Sequence, residues 1–154
     1  MAKRIPSVAL QPDPDLWKKL EELKTTREYA PGATIFGCAN PIGGVYLIER
    51  GDVKLLLPGS SKAAVLGKGG PGAVLGLSEA LTGAPCKLTA QAITPVSVAF
   101  VRRDRFLNFL NDHHEFCLQI VRLLSEEVHV LYCRFRTLTM GDIKARARPV
   151  RPRN

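Results

Sequence analysis

Towards the C-terminus seven apolar residues recur in alternating steps of four and three: Cys117, Val121, Leu124, Val128, Leu131, Phe135 and Leu138. A heptad seam sustained over three heptads demands a long helix. Asp112 and Glu115 stand in capping-box spacing ahead of it, and Gly141 offers a stop, so the helix is expected over 112–140. At 1.5 Å per residue it would be about 40 Å long, more than the width of a small β domain. Part of its stripe therefore needs cover from outside, which a second copy supplies by twofold symmetry. Arg122, Glu126, Glu127 and Arg134 flank the seam. A helix folded back on its own domain alone is the competing reading, and strict 3.5-residue spacing favours a helical partner over a sheet.

Upstream the period is different. Asp13-Pro14-Asp15 reads as a helix start, with a capping carboxylate and a proline at the first helical position, and Leu16, Leu20 and Leu23 follow at helical spacing. Short apolar runs then alternate with Gly/Pro turns. Ala33 to Phe36, Val45 to Ile48, Val53 to Leu57, Ala63 to Leu66, Cys86 to Ala92 and Pro95 to Val101 read as strands. Arg50-Gly51-Asp52 reads as the tight turn of a hairpin, and Pro58-Gly59-Ser60-Ser61 as another turn. Many short strands at such spacing indicate a β-sandwich or barrel. Arg103 to Leu110 suits a short helix.

Length and charge narrow the class. The chain has 154 residues, enough for one domain with a core, and no apolar run approaches a membrane span. Met1 to Gln11 lacks the apolar stretch of a signal peptide. Cys38, Cys86, Cys117 and Cys133 form no CxxC pair, which suits reduced thiols in a cytoplasmic protein. Of the net charge of +8, five cations lie in the last eleven residues; without Lys144, Arg146, Arg148, Arg151 and Arg153 the balance is +3. Such a tail can touch phosphates without reading sequence, and a solvated tail is the plainer reading. Adjacent His113 and His114 point about 100° apart on a helix and make no metal face. Gly43-Gly44 and Gly67-Lys68-Gly69-Gly70 match no nucleotide fingerprint. No Ser/His/Asp set has motif context, so no catalytic residue and no metal ligand is assigned.

Three segments, in order, resemble the effector domain of the Crp/Fnr family. Tyr29-Ala30-Pro31-Gly32-Ala33-Thr34-Ile35-Phe36 is similar to its opening. Gly43 to Val53 is similar to its strand, glycine turn and strand. Gly72-Ala73-Val74-Leu75-Gly76-Leu77-Ser78 resembles the entry to its phosphate-binding cassette. The resemblance covers roughly 14–140. It implies a mainly β fold with flanking α: a double-stranded β-helix, or jelly-roll β-roll, plus a long C-terminal dimerisation helix. The chain then divides into an N-terminal arm (1–12), a cyclic-nucleotide-binding-like β-roll (13–111), the helix (112–140) and a basic flexible tail (141–154). The family's helix-turn-helix reader needs several packed helices, and the thirteen residues after Gly141 do not hold one.

In cyclic-nucleotide-binding members of the family, the resemblance implies, a short cassette helix faces the cyclic phosphate, a Gly-Glu pair holds the ribose and an Arg-Ser/Thr-Ala step binds the phosphate. Here Leu77 stands in the Glu position and Leu88-Thr89-Ala90 in the Arg-Ser/Thr-Ala position. Strand alternation would turn Lys87 to the face opposite Leu88, and Glu79 is two residues late for the ribose. The cassette resembles the Fnr branch more than the cyclic-AMP branch. A buried phosphate without arginine is costly, so weak or absent binding of cyclic AMP or cyclic GMP is expected. An iron–sulfur cluster of the Fnr type would need an N-terminal cysteine cluster, and only Cys38 lies in the first half. The candidate ligand-binding residues are Val74, Leu75, Gly76, Leu77, Ser78, Lys87, Leu88 and Thr89, with Thr137 reaching from the long helix. The expectation is a ligand-sensing regulatory domain: a homodimer with a small-molecule effector, no certain cofactor, no sequence-specific DNA binding of its own and no membrane contact. The alternatives are a ligand-free module that pairs with full-length regulators, and a cupin-like enzyme, against which the lack of a His-x-His set counts.

Overall fold

The computed structural model describes residues 11–38, 40–58 and 64–146, with side chains described as far as Cys133 and at Arg136. Most of the expected arm, the turn at 59–61, the end of the basic tail and the side chains of Arg134, Phe135, Thr137 and Leu138 lie outside the described residues. Helix α1 (Pro14–Glu21) leads into strands β1 (Thr25–Tyr29), β2 (Thr34–Phe36), β3 (Gly44–Arg50), β4 (Val53–Leu57), β5 (Ala64–Gly69) and β6 (Val74–Leu75). Helix α2 (Leu77–Thr82), strands β7 (Thr89–Ala92) and β8 (Val96–Arg102), helix α3 (Arg103–Asp112), a 3-10 turn (His114–Phe116) and helix α4 (Cys117–Arg146) follow.

The strands form two antiparallel four-stranded sheets, ordered β1-β8-β3-β6 and β2-β7-β4-β5. The continuous apolar run of β3 is explained by burial on both of its faces. Tyr46 and Ile48 point between the sheets with Val96, Val98 and Phe100 of β8, while Val45 and Leu47, with Ala99 and Val101, point to the helices. One core thus fills the roll. The second joins the outer face of the first sheet to Leu16 and Leu20 of α1, Phe106 and Phe109 of α3, and Phe116, Ile120 and Leu123 at the start of the long helix.

Four local expectations need correction. Strands β3 and β4 do not pair as a hairpin, because they belong to different sheets. Gly51, at φ +90°, carries the chain across from one sheet to the other, and a Cβ there would run into the Pro95 carbonyl. Asp13 sits at the start of α1 but makes no side-chain capping bond, so Pro14 alone marks the start. Asp112 ends α3 instead of capping the long helix. His113 leaves the helix at φ −132°, its Nδ1 3.1 Å from the Phe109 carbonyl oxygen and its ring stacked on Phe109. Finally, α4 runs through Gly141 to Arg146, since one glycine weakens a helix by about 1 kcal/mol without ending it.

Phe106 has no exposed surface and joins α3 to both β3 and β8 through the second core. Phe106→Ala should destabilise the domain by about 3–5 kcal/mol. Urea unfolding would show this as a lower midpoint at unchanged slope.

Candidate functional site

The cassette is built from β6, α2 and the segment that follows. Gly76 enters α2 at φ +79°, and a Cβ there would collide with Ile42; Gly83 leaves it at φ +74°. Left-handed backbone at both ends fixes where the six-residue helix starts and stops. Arg103 holds it from behind, donating from Nε to the Ala80 carbonyl at 2.8 Å. Leu77 and Ala80 face the second core and anchor α2 to the roll.

Helix α4 crosses in front of α2 and closes a cleft of about 540 Å³. Its walls are Leu57 of β4, Leu66 of β5, Ser78, Glu79 and Thr82 of α2, Ala84, Pro85, Lys87 and Leu88 of the segment after α2, and Glu127, Val128 and Leu131 of α4. A recess of about 40 Å³ deepens it, with Phe36, Leu55, Val74, Leu75, Gly76 and Cys86 at the bottom. Glu79, Leu88, Glu127 and Leu131 border both spaces.

The structure brings together Ser78, Lys87 and Leu88 at the cleft, and Val74, Leu75 and Gly76 at the recess. It does not bring Leu77 there: this side chain is 2% exposed and buried in the second core. Thr89 is engaged elsewhere, its Oγ1 accepting from the Cys38 backbone N–H at 3.1 Å. Lys87 and Leu88 do not take opposite faces, because β7 begins only at Thr89 and alternation does not govern the two residues before it. Thr137 lies outside the described side chains.

Glu79 and Glu127 were missed as site residues. For Glu127 the signal is helical spacing. On α4, Ile120 and Leu123 turn inward, and Glu127 and Leu131 continue that line one and two turns on, so a carboxylate sits on the face that packs against the roll. Burial pushes the Glu127 carboxyl up to about 7, with the nearby charge of Glu79 adding to the effect. The Cys86 thiol is also raised, first by burial. Lys87 is exposed on the rim and makes no ion pair with either carboxylate among the described residues. Among those residues no group of three or more His, Cys, Asp or Glu is arranged to hold a metal ion, and no helix is long and apolar enough to cross a membrane.

A carboxyl that titrates near 7 in the folded chain and near 4.5 when unfolded binds more protons folded across that window. Its contribution to stability is therefore present at acid pH and is lost as the pH rises through 7. Glu127→Gln should match the parent near pH 4.5 and unfold a few degrees higher at pH 8. Solvent reaching the half-buried group limits the gain to about 1 kcal/mol. Thermal melts at the two pH values check the sign.

Comparison with known proteins bears on the whole assembly. A family model described as the cyclic nucleotide-binding domain matches residues 26–113. The HTH-type transcriptional regulator Cmr of Mycobacterium tuberculosis is 30% identical over 94 residues, which are 61% of this chain and 38% of that protein. The chain thus spans well under half the length of that relative. Among solved structures, the c-di-GMP-responsive global regulator CLP of Xanthomonas campestris aligns with a TM-score of 0.71 at 17% identity, covering 82% of this chain and 65% of that one. Oxidised CprK in complex with o-chlorophenolacetic acid aligns with a TM-score of 0.68 at 14% identity, covering 88% and 56%. At such identities the two structures bear on the fold alone.

Proposed function

We propose, since this chain belongs to the cyclic nucleotide-binding domain family, that it is the effector-sensing domain of a Crp/Fnr-like transcriptional regulator, regulatory and not catalytic, with a cassette that no longer receives a cyclic phosphate. The observation that carries this reading is the cleft itself. It lies where cassette helix and long helix meet, and among the described residues its lining includes two glutamates, one lysine exposed on the rim and no arginine. A desolvated phosphate needs paired cations. Leu88 offers none, and Leu77, in the ribose-binding position, is sealed in the core. By their descriptions, CLP responds to c-di-GMP and CprK holds a chlorinated aromatic acid. The roll thus has relatives with quite different ligands, which supports an effector here other than cyclic AMP or cyclic GMP.

The second part of the proposal is pairing through α4. Leu124 and Leu131, two members of the expected seam, pack against this chain's own roll. The stripe left in solvent is Leu118, Val121, Val128 and Tyr132, each 55–68% exposed, with Ser125 completing the steps of three and four. It shares Val121 and Val128 with the expected seam and is turned slightly around the helix. A second copy covers such a stripe by twofold symmetry.

Calorimetric titration with cyclic AMP and cyclic GMP should show no binding in the micromolar range; sub-micromolar affinity would overturn the reading of the cassette. Sedimentation should show a dimer, and Val121→Asp combined with Val128→Asp should give a monomer with the roll still folded. A parent protein that stays monomeric at high concentration would overturn the pairing and, with it, the effector-sensing reading.

A further inference from the structure

We propose that the cleft between α2 and α4 takes a small amphiphilic organic cation, an ammonium group on an aliphatic body, whose charge is received by Glu79 and Glu127. This rests on the effector-sensing reading and names the class of effector. The cleft's size, about 540 Å³, is that of a small-molecule site. Leu57, Leu66, Leu88, Val128 and Leu131 make most of its wall aliphatic, which suits hydrocarbon and offers little to a hydrated ligand.

Charge then selects among apolar ligands. An anion would bring a third negative charge beside two carboxylates in a partly dry space. A neutral hydrocarbon would bury the carboxylates further with nothing to balance them. An ammonium placed between Glu79 and Glu127 relieves their mutual repulsion and supplies the missing partner. The raised carboxyl of Glu127 fits this, since a group already held partly protonated by burial and a like charge gains most from an incoming cation.

Among the described residues, the other charged or titratable groups facing the cleft do not provide that cation. Lys87, from the segment after α2, is exposed at the rim and unpaired with either glutamate. Cys86, in the recess, is a thiol with a raised pKa and stays neutral. Strands β2, β4 and β5 contribute Phe36, Leu55, Leu57 and Leu66, none of them titratable.

The test titrates the full chain by calorimetry with hexylammonium, octylammonium, hexanoate and octanoate. Octylammonium should bind about tenfold more tightly than hexylammonium as two further methylenes are buried. Octanoate should be at least tenfold weaker than octylammonium. Glu79→Gln and Glu127→Gln should each weaken octylammonium by about tenfold, leave octanoate unweakened and keep the folded spectrum of the parent. Lys87→Gln should leave octylammonium binding unchanged or tighter. Between pH 8 and pH 6, octylammonium binding should weaken as Glu127 takes up a proton, the amine remaining charged throughout. Octanoate binding as tightly as the amine, no amine binding at all, or glutamine variants that bind the amine like the parent would each overturn the cation. Carboxylate or cyclic-nucleotide binding would overturn this ligand class while leaving effector sensing intact; a parent that fails to pair in sedimentation strikes the effector-sensing reading and leaves the cation to be judged by the titration.

Discussion

One helix has more apolar surface than one β-roll can cover, and the arrangement of the molecule follows from that excess. The inner face of α4 sinks Ile120 and Leu123 into the core shared with Phe106, and sets Leu131 against the roll's interior cluster. Its outer face leaves Leu118, Val121 and Tyr132 in solvent. Val128 belongs to both regions, 68% exposed and yet lining the cleft. No helix of ordinary geometry can turn one of these faces without turning the other, because residues three and four apart are carried on one rigid frame. Cleft and exposed stripe are therefore mechanically the same object.

Charge is the second constraint. Within the proposed reading, what distinguishes this cassette is less the missing arginine than the use made of the carboxylates and arginines present. Arg103 is committed behind α2, its guanidinium donating to Ala80, with Gly83 packed beside it. That contact fixes the backbone of the cassette and leaves the front of the cleft to Glu79 and Glu127. The cost of crowding two carboxylates there is expressed as a proton affinity: burial and the neighbouring charge together lift Glu127 to about 7. A half-buried like-charge pair in a mostly aliphatic wall contributes no stability at neutral pH, so within the proposed reading its presence is better explained by what it can bind than by what it holds together.

Much of the roll was legible in the sequence, and the illegible parts have identifiable causes. Val45 to Ile48 and Val96 to Val101 announced themselves because strands buried on both faces read as unbroken apolar runs. Thr25–Tyr29 did not: β1 is an edge strand with mostly exposed side chains, so burial left no alternation to detect. Two-residue β6 is too short for any period. The turn at Gly51 uses the same residues whether its strands pair or part, so turn chemistry alone suggested a hairpin. Asp112 and Glu115 satisfy a capping pattern, yet the cluster of Phe109, His113 and Phe116 bends the chain there and moves the long helix's start to Cys117. A heptad makes Glu127 a flank because it describes a helix with one apolar face. Here the face packed on the roll and the apolar stripe in solvent are different sides of the helix and carry different residues.

A ligand shifts such a system only by binding one arrangement of α2 and α4 better than another. Helix α2 is pinned by left-handed glycines at both ends and by Arg103, and its buried Leu77 and Ala80 tie it to the roll. Helix α4 is buried near its start at Phe116, Ile120 and Leu123, while at Glu127, Val130 and Leu131 its contacts with the roll are partial. A ligand filling the cleft would therefore act mainly on the later turns of α4, the turns that carry Val128 and Tyr132 of the exposed stripe. A tenfold preference for one arrangement moves the balance by about 1.4 kcal/mol, and in a symmetric pair two bound ligands act on the same seam. Within the proposed reading, the cassette, pinned at both ends, is the fixed side against which an effector would push.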